Sequence, residues 1–255
     1  MSRQMIRSVL RRMLSCHDNF KIYRRSSGLG ESVDSGRRNS ILSEAPEKYL
    51  AEALQERFPL AFADGRTGEH DVIIPELNNH YIECKLTSKS DLQVDVDTLR
   101  SKQPLDHIFF IVNDDFDSFV VLYFKGLTVD DFHEPSENSK GKSSMIKHRA
   151  MERCDVLYGN VIEENKRHIA NIKLETIATE QRYERAVQRT MNRKSNRANI
   201  HETLQNHEKR LNRRLEILKK RKQYWSDEPM EYSLLFEPIW DDSLEFETTI
   251  TFSES

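Results

Sequence analysis

The amino-acid sequence predicts an α/β (α+β) protein, with a mixed sheet core flanked by helices and a long helical hairpin appended. Helical and strand patterns alternate between residues 41 and 135, which is typical of helices packed on a mixed sheet. Two nearly continuous apolar runs, His107–Asn113 and Phe119–Phe124, indicate strands buried on both faces. Two long, charged helical stretches follow at 161–193 and 199–224 and predict the hairpin.

The composition excludes several classes of protein. The 255 residues are 37% hydrophobic and 32% charged, which allows a buried core with many solvated faces. No apolar run approaches the roughly 20 residues of a membrane span, so we expect no membrane partner. The cysteines Cys16, Cys84 and Cys154 are too widely spaced for a disulfide framework or a CxxC zinc pair. A reducing, cytoplasmic location is therefore expected.

The first segment, residues 1–40, is a predicted basic arm with nine Arg and Lys against three Asp and Glu. Met1–Met13 predicts an amphipathic helix, because its apolar residues recur on one face. An Arg-rich mitochondrial presequence at 1–25 is the alternative to a surface helix of a cytoplasmic protein. Ser26–Ser40 is rich in Gly, Ser and Arg and predicts a loop.

The predicted core covers residues 41–135. Its first helix, Ala45–Phe58, has a proline in the first turn and another directly after its end, both common at helix boundaries. Short strands at Asp71–Ile74 and His80–Leu86, a helix at Asp91–Lys102 and the two apolar strands complete the core.

The remaining segments differ sharply in charge. Residues 136–160 are a predicted linker, polar at its start. Residues 161–225 carry 17 basic against six acidic residues. Three leucines recur there every seven residues, which predicts a helical hairpin or short coiled coil. Residues 226–255 carry nine acidic residues and no Arg or Lys, and their alternating apolar positions at Leu244–Phe252 predict acidic C-terminal strands.

One group of polar residues lies on the predicted strands of the core. Side chains alternate between the two faces of a strand, so Glu83 and Lys85 share one face of the second short strand. Asp71 begins the preceding strand, and a hairpin can bring it beside Glu83. Glu47 extends the apolar stripe of the first helix, where a carboxylate needs a partner. A plain first-turn Glu favoured by the helix dipole is the alternative.

Two carboxylates and a lysine have a specific chemical use. Asp and Glu oxygens bind Mg²⁺, which makes bound water more acidic and neutralises charge on a transferring phosphoryl group. A nearby lysine can orient or deprotonate the attacking water and offset developing charge. The alternative is a cross-strand Glu–Lys ion pair on an exposed sheet face.

Between Glu44 and Phe124 the sequence resembles the PD-(D/E)xK phosphodiesterase superfamily, which includes most type II restriction endonucleases and the Holliday-junction resolvases. Asp71 matches the metal-binding Asp of the family, and Glu83 and Lys85 match its (D/E)xK motif. Glu47 occupies the place of the first-helix Glu. The resemblance implies a restriction-endonuclease-like core that binds Mg²⁺, or Mn²⁺ as a substitute, through Asp71, Glu83 and Glu47. His70 stands where the motif has Pro, and Thr87 replaces the Gln of the exonuclease-like variant.

The basic helices predict contacts with nucleic acid, because cationic arms bind phosphates and release counterions. The predicted contact residues are spaced at helical intervals or clustered on the second helix: Arg182, Arg185, Arg189, Arg193, Arg213 and Arg214. An amphipathic coiled coil that only dimerises the protein is the alternative. The two are compatible, since each core of a homodimer could cut one strand of double-stranded DNA.

The sequence thus predicts a Mg²⁺-dependent DNA endonuclease, with a type II restriction enzyme as the favoured role because a compact core has its own DNA-binding segment and no ATPase motif. A defence effector or resolvase-like repair nuclease of the same fold is one alternative. A coiled-coil DNA-binding or scaffold protein with an inactive nuclease fold is the other.

Overall fold

The structure is a computed structural model that describes residues 1–30, 32–66, 70–101, 104–135, 141–192, 197–227 and 230–239. The chain is mixed α/β and divides into two compact units. The core unit comprises Met1–Val161 and Ser233–Ser255, and the hairpin unit comprises Ile162–Tyr232. No helix within the described ranges is long and apolar enough to span a membrane.

The core unit begins with three helices: α1 (Arg3–Ser26), α2 (Ser35–Ile41) and α3 (Glu44–Leu54). α1 is twice as long as predicted. It begins where the Ser2 hydroxyl accepts a hydrogen bond from the Met5 amide, an N-cap. α2 falls within the predicted loop. Its N-cap is Asp34, whose carboxylate accepts from the Arg37 amide, and this cap outweighs a composition typical of loops.

The strands, in chain order, are β1 (Phe62–Ala63), β2 (Val72–Ile74), β3 (His80–Thr87), β4 (Gln93–Asp95), β5 (Leu105–Val112), β6 (Ser118–Leu127), β7 (Lys142–Ser144), β8 (Cys154–Tyr158), β9 (Asn160–Glu163), β10 (Tyr232–Leu235) and β11 (Glu237–Pro238). The seven-stranded main sheet has the order β1-β2-β3-β5-β6-β11, and β8 also pairs with β6. β3 and β5 are parallel, and the other pairs of this sheet are antiparallel. β4 and β7 form a separate antiparallel pair. Two short helices, α4 (Val96–Ser101) and α5 (Lys147–Ala150), complete the unit.

Two sequence predictions missed strands. The helix predicted at Asp91–Lys102 is strand β4 followed by α4, because β4 pairs with the distant β7. The linker predicted at 136–160 contributes β7 and β8, and β8 pairs with β6 in the main sheet. Both strands are short and depend on a partner far away in sequence, which local periodicity does not report.

The main sheet separates two apolar clusters. Ile82, Cys84 and Ile108 point to the first cluster, together with buried residues of α1 and α3. Phe109 and Leu122 point to the second, which lies on the other side. Alternation along the strands produces this division. The apolar stripe of α1 is part of the first cluster, so the predicted boundaries at 40 and 135 both fall inside the core unit.

The hairpin unit contains α6 (Glu164–Met191) and α7 (Arg197–Asp227), which pack on each other. Ile172 and Leu218 are buried in this unit, each with 2% exposure. The Glu175 carboxylate forms ion pairs with Arg214 and Arg221 of the facing helix. The predicted hairpin is therefore present. The strand predicted at Leu244–Phe252 lies outside the described residues.

Candidate active site

The antiparallel pair β2–β3 brings Asp71 to Glu83. In its register Val72 lies opposite Ile82, so the next pair along the ladder is Asp71 and Glu83. The Asp71 Oδ2 atom accepts a hydrogen bond of 2.7 Å from the backbone amide of Cys84. This bond fixes the aspartate carboxylate against the backbone of β3.

The Lys85 ammonium contacts both carboxylates. Its Nζ atom lies 3.0 Å from Oε2 of Glu83 and 3.6 Å from Oδ2 of Asp71. The Glu83 side chain is only 5% exposed, whereas 35% of the Lys85 side chain is exposed. The cluster thus has a buried carboxylate at its base and a cation that solvent can reach.

The cluster holds more negative charge than one ammonium neutralises. Burial raises the pKa of Asp71 to about 6; Lys85 opposes this shift, and the Glu83 carboxylate adds to it. Burial lowers the pKa of Lys85, but Asp71 and Glu83 outweigh burial, and the net pKa is raised. A buried carboxylate is costly unless a cation compensates it, so the site favours an additional positive charge.

Glu47 belongs electrostatically to the same cluster. It is half-buried on α3, whose Leu50 and Leu54 pack in the first apolar cluster. Burial raises the pKa of Glu47 to about 7, and Asp71 is the largest charge contribution to that shift. The structure therefore brings all four predicted site residues together, with Glu47 acting on the others through its charge.

Sequence reasoning missed a buried histidine. The parallel register of β3 and β5 places His107 beside Glu83. Burial lowers the pKa of His107 to about 4, and its Nδ1 atom lies 3.1 Å from the Leu105 carbonyl. Its neutral ring forms part of the wall around Glu83. A polar residue inside the apolar run of β5 was the available signal, but only the strand pairing shows what it faces.

A second histidine lines the cluster from the loop before β2. The His70 ring stacks on Tyr81, with 3.9 Å between the ring centroids. Its Nδ1 atom lies 3.8 Å from Oε1 of Glu83. Stacking on an aromatic ring holds the imidazole over the carboxylate.

The donor set fits a hard divalent cation. Carboxylate oxygens are the protein ligands that Mg²⁺ prefers, and the raised pKa values of Asp71 and Glu47 show an excess of negative charge. Within the described ranges, no three His, Cys, Asp or Glu side chains already converge as a ligand set. Instead, the Lys85 ammonium contacts both carboxylates that would bind the ion.

The predicted nucleic-acid residues lie in the hairpin unit. Arg182, Arg185 and Arg189 are exposed on α6, and Arg213 and Arg214 are exposed on α7. Arg214 is ion-paired with Glu175, so its charge is partly neutralised within the hairpin. Arg193 lies outside the described residues.

The chain matches no protein-family model, no curated protein and no solved structure. Its function must therefore be inferred from the arrangement of its own side chains.

Proposed function

We propose that the protein is a Mg²⁺-dependent DNA endonuclease that hydrolyses phosphodiester bonds. The observation that carries this proposal is the contact of one ammonium, Lys85, with two carboxylates on neighbouring strands, Asp71 and Glu83. A structural ion pair needs only one carboxylate. The second one, the raised pKa of Asp71 and the nearby Glu47 carboxyl favour a site that binds a metal ion.

The surrounding fold supports the same proposal. Helix α3 precedes the antiparallel strands β1, β2 and β3, and α4 leads into β5, which is parallel to β3. The resemblance to the PD-(D/E)xK superfamily implies a mixed sheet of this kind with helices on its faces. Its motif residues fall on adjacent strands, at the point where the resemblance requires them.

Each side chain has a distinct role in the proposed reaction. Asp71 and Glu83 hold Mg²⁺, and Glu47 supports the ion or one of its waters. The bound ion makes water more acidic and neutralises charge on the phosphate. Lys85 holds its ammonium beside Glu83, where it orients the attacking water and offsets negative charge in the transition state.

The reaction consumes one water for each bond broken. The water oxygen bonds to phosphorus, and the bond between phosphorus and one bridging oxygen breaks. That oxygen leaves with a proton, and the other product keeps the phosphate. No oxidant or further co-reactant is needed.

Within this class we propose a type II restriction enzyme that acts as a homodimer on double-stranded DNA. The basic hairpin unit supports this role, because its exposed arginines can bind the duplex while the core unit cuts. Two cores in a symmetric dimer would cut one strand each.

Plasmid cleavage tests the proposal. The wild type is incubated with plasmid DNA in Mg²⁺, in Mn²⁺ and in EDTA, beside Glu83→Gln and Lys85→Met. We expect the wild type to give discrete fragments with either metal and none in EDTA, and both variants to be inactive. Glu56→Gln, which changes an exposed carboxylate, is the matched control and should be fully active.

The outcomes separate the two levels of the proposal. Metal-dependent cleavage without discrete fragments would remove the restriction role and leave the nuclease. Full activity of Glu83→Gln, or a wild type that binds DNA and cuts it with neither metal, would overturn the nuclease itself.

A further inference from the structure

A polar cleft of about 420 Å³ lies in the core unit beside the candidate active site. α2 and the turn before α3 contribute Asn39 and Ser43 to its lining, and β7 contributes Lys142. The end of β3 contributes Lys85, and Lys89 follows in the next turn. Cavities of roughly 300–1,000 Å³ are the usual size of ligand sites. Because Lys85 belongs to the lining, the cleft is continuous with the carboxylate cluster.

The lining is rich in groups that donate hydrogen bonds to oxygen. Lys85, Lys89 and Lys142 contribute ammonium groups, and hydroxyl and amide side chains lie between them. Among the described residues that line the cleft, Asp95 is the single carboxylate. Three cations against one anion make the cleft a site for negatively charged ligands.

The two outer lysines are available to a ligand. Lys89 and Lys142 are both exposed, and none of the ion pairs given for the described residues includes either of them. The Lys89 amide donates a 3.0 Å hydrogen bond to the Thr87 hydroxyl, which fixes the turn after β3. The register of β4 and β7 places Lys142 opposite Asp95, which sets the position of its strand.

We propose that this cleft binds the phosphodiester backbone of the DNA strand that is cut, with Lys89 and Lys142 contacting phosphates next to the scissile one. This inference rests on the proposed nuclease function, which it deepens by assigning DNA affinity to the core unit. A backbone that lies along the cleft passes from Lys89 and Lys142 to Lys85, and so reaches Asp71 and Glu83.

This assignment differs from the expectation drawn from net charge. Residues 41–165 carry 13 basic against 24 acidic residues, and that total predicts a core that repels DNA. The field at a cleft depends on the charges that line it, not on the total. Folding gathers lysines from three separate segments at this one place.

The test measures binding without cleavage. A short fluorescein-labelled DNA duplex is titrated in EDTA, and fluorescence anisotropy is recorded over a range of salt concentrations. The double variant Lys89→Gln/Lys142→Gln is compared with Arg57→Gln/Lys125→Gln. The control removes two exposed cations of the core unit that both act on the N-terminal amino group and lie outside the cleft lining.

Loss of two phosphate contacts should flatten the plot of log K against log salt by about 1.8, since each contact contributes about 0.9. Binding should weaken by about 60-fold at about 0.1 M salt, and the difference should vanish near 1 M. Asp95→Asn should bind DNA severalfold more tightly than the wild type, an effect that a purely structural role would not produce. The control should stay close to the wild type.

Unchanged binding by the Lys89/Lys142 variant, with an unfolding temperature equal to that of the wild type, would overturn the cleft. An equal loss of binding in the control would do the same, because it would show a general charge effect. Failure of the proposed function looks different. If the wild type cuts no DNA in Mg²⁺ but the cleft variant still loses binding in EDTA, the nuclease falls and the cleft stands.

Discussion

Replacing Asp71 by Asn should abolish cleavage and make the metal-free protein more stable. The Asp71 carboxylate is costly in the folded state, because burial raises its pKa from 3.8 to about 6. Each pKa unit corresponds to about 1.4 kcal/mol, so ionised Asp71 costs on the order of 3 kcal/mol of folding stability. Asn removes that charge and keeps an oxygen that can accept the hydrogen bond from the Cys84 amide.

The sign of the pH dependence follows from the direction of the shift. Below about pH 4 the carboxyl is protonated in both the folded and the unfolded chain, so the variant and the wild type should be equally stable. As the pH rises from 4 to 6 the unfolded chain releases its proton first, and the wild type loses stability. Above about pH 6 the difference should be constant and favour Asp71→Asn.

Urea unfolding followed by circular dichroism, in EDTA and at a series of pH values, measures this difference. Glu56→Gln is the control, because that carboxylate is exposed. Adding Mg²⁺ should stabilise the wild type by about 2.7 kcal/mol when its concentration is 100 times Kd, and should stabilise Asp71→Asn much less. An Asp71→Asn protein that is less stable than the wild type at pH 8, or a gain that is the same at pH 4 and pH 8, would refute the reasoning.

Other predictions concern activity, binding and acid stability. Glu47→Gln should lower kcat/KM for plasmid cleavage less than Asp71→Asn does, since Glu47 acts on the cluster through its charge; an equal loss would make it a direct ligand. The triple change of the exposed arginines of α6 to Gln should weaken DNA binding equally on all sequences and flatten the salt slope by about 0.9 per contact; unchanged affinity in Ca²⁺ would remove the hairpin from DNA binding. Those arginines are Arg182, Arg185 and Arg189. His17→Phe should resist acid better than the wild type, because burial lowers the pKa of His17 to about 4. The wild type should lose up to about 3 kcal/mol as the pH falls from 6.5 to 4, measured by urea unfolding; parallel pH profiles would contradict this.

The central hairpin of the core was predictable because two independent patterns agree there. Ile82 and Cys84 are apolar and point to the core, so alternation places Glu83 and Lys85 on the opposite face. The turn between β2 and β3 then brings Asp71 opposite Glu83. Both steps use only neighbouring residues, and the structure brings these side chains together as the sequence predicts.

The features that were missed all depend on partners far away in the chain. β8 joins the main sheet through β6, and α2 is held where the buried Arg38 contacts the carbonyl groups of Asn113 and Asp114. His107 reaches Glu83 only because β3 and β5 are parallel and in that register. No local period encodes such pairings, so the surroundings of the site could not be derived from the sequence.

The instability of the carboxylate cluster and its proposed chemistry have the same cause. Asp71, Glu83 and Glu47 bring three carboxyl groups to one ammonium, and burial keeps water from screening them. Fold stability alone would favour an amide or an apolar side chain at one of these positions. The cluster becomes favourable once a divalent cation binds, because the ion supplies the missing positive charge and holds a water beside Lys85. The same excess of charge would repel a DNA phosphate from the metal-free cluster. A separate cationic surface is therefore needed to hold the strand, and the cleft lined by Lys89 and Lys142 lies beside the cluster in the same unit.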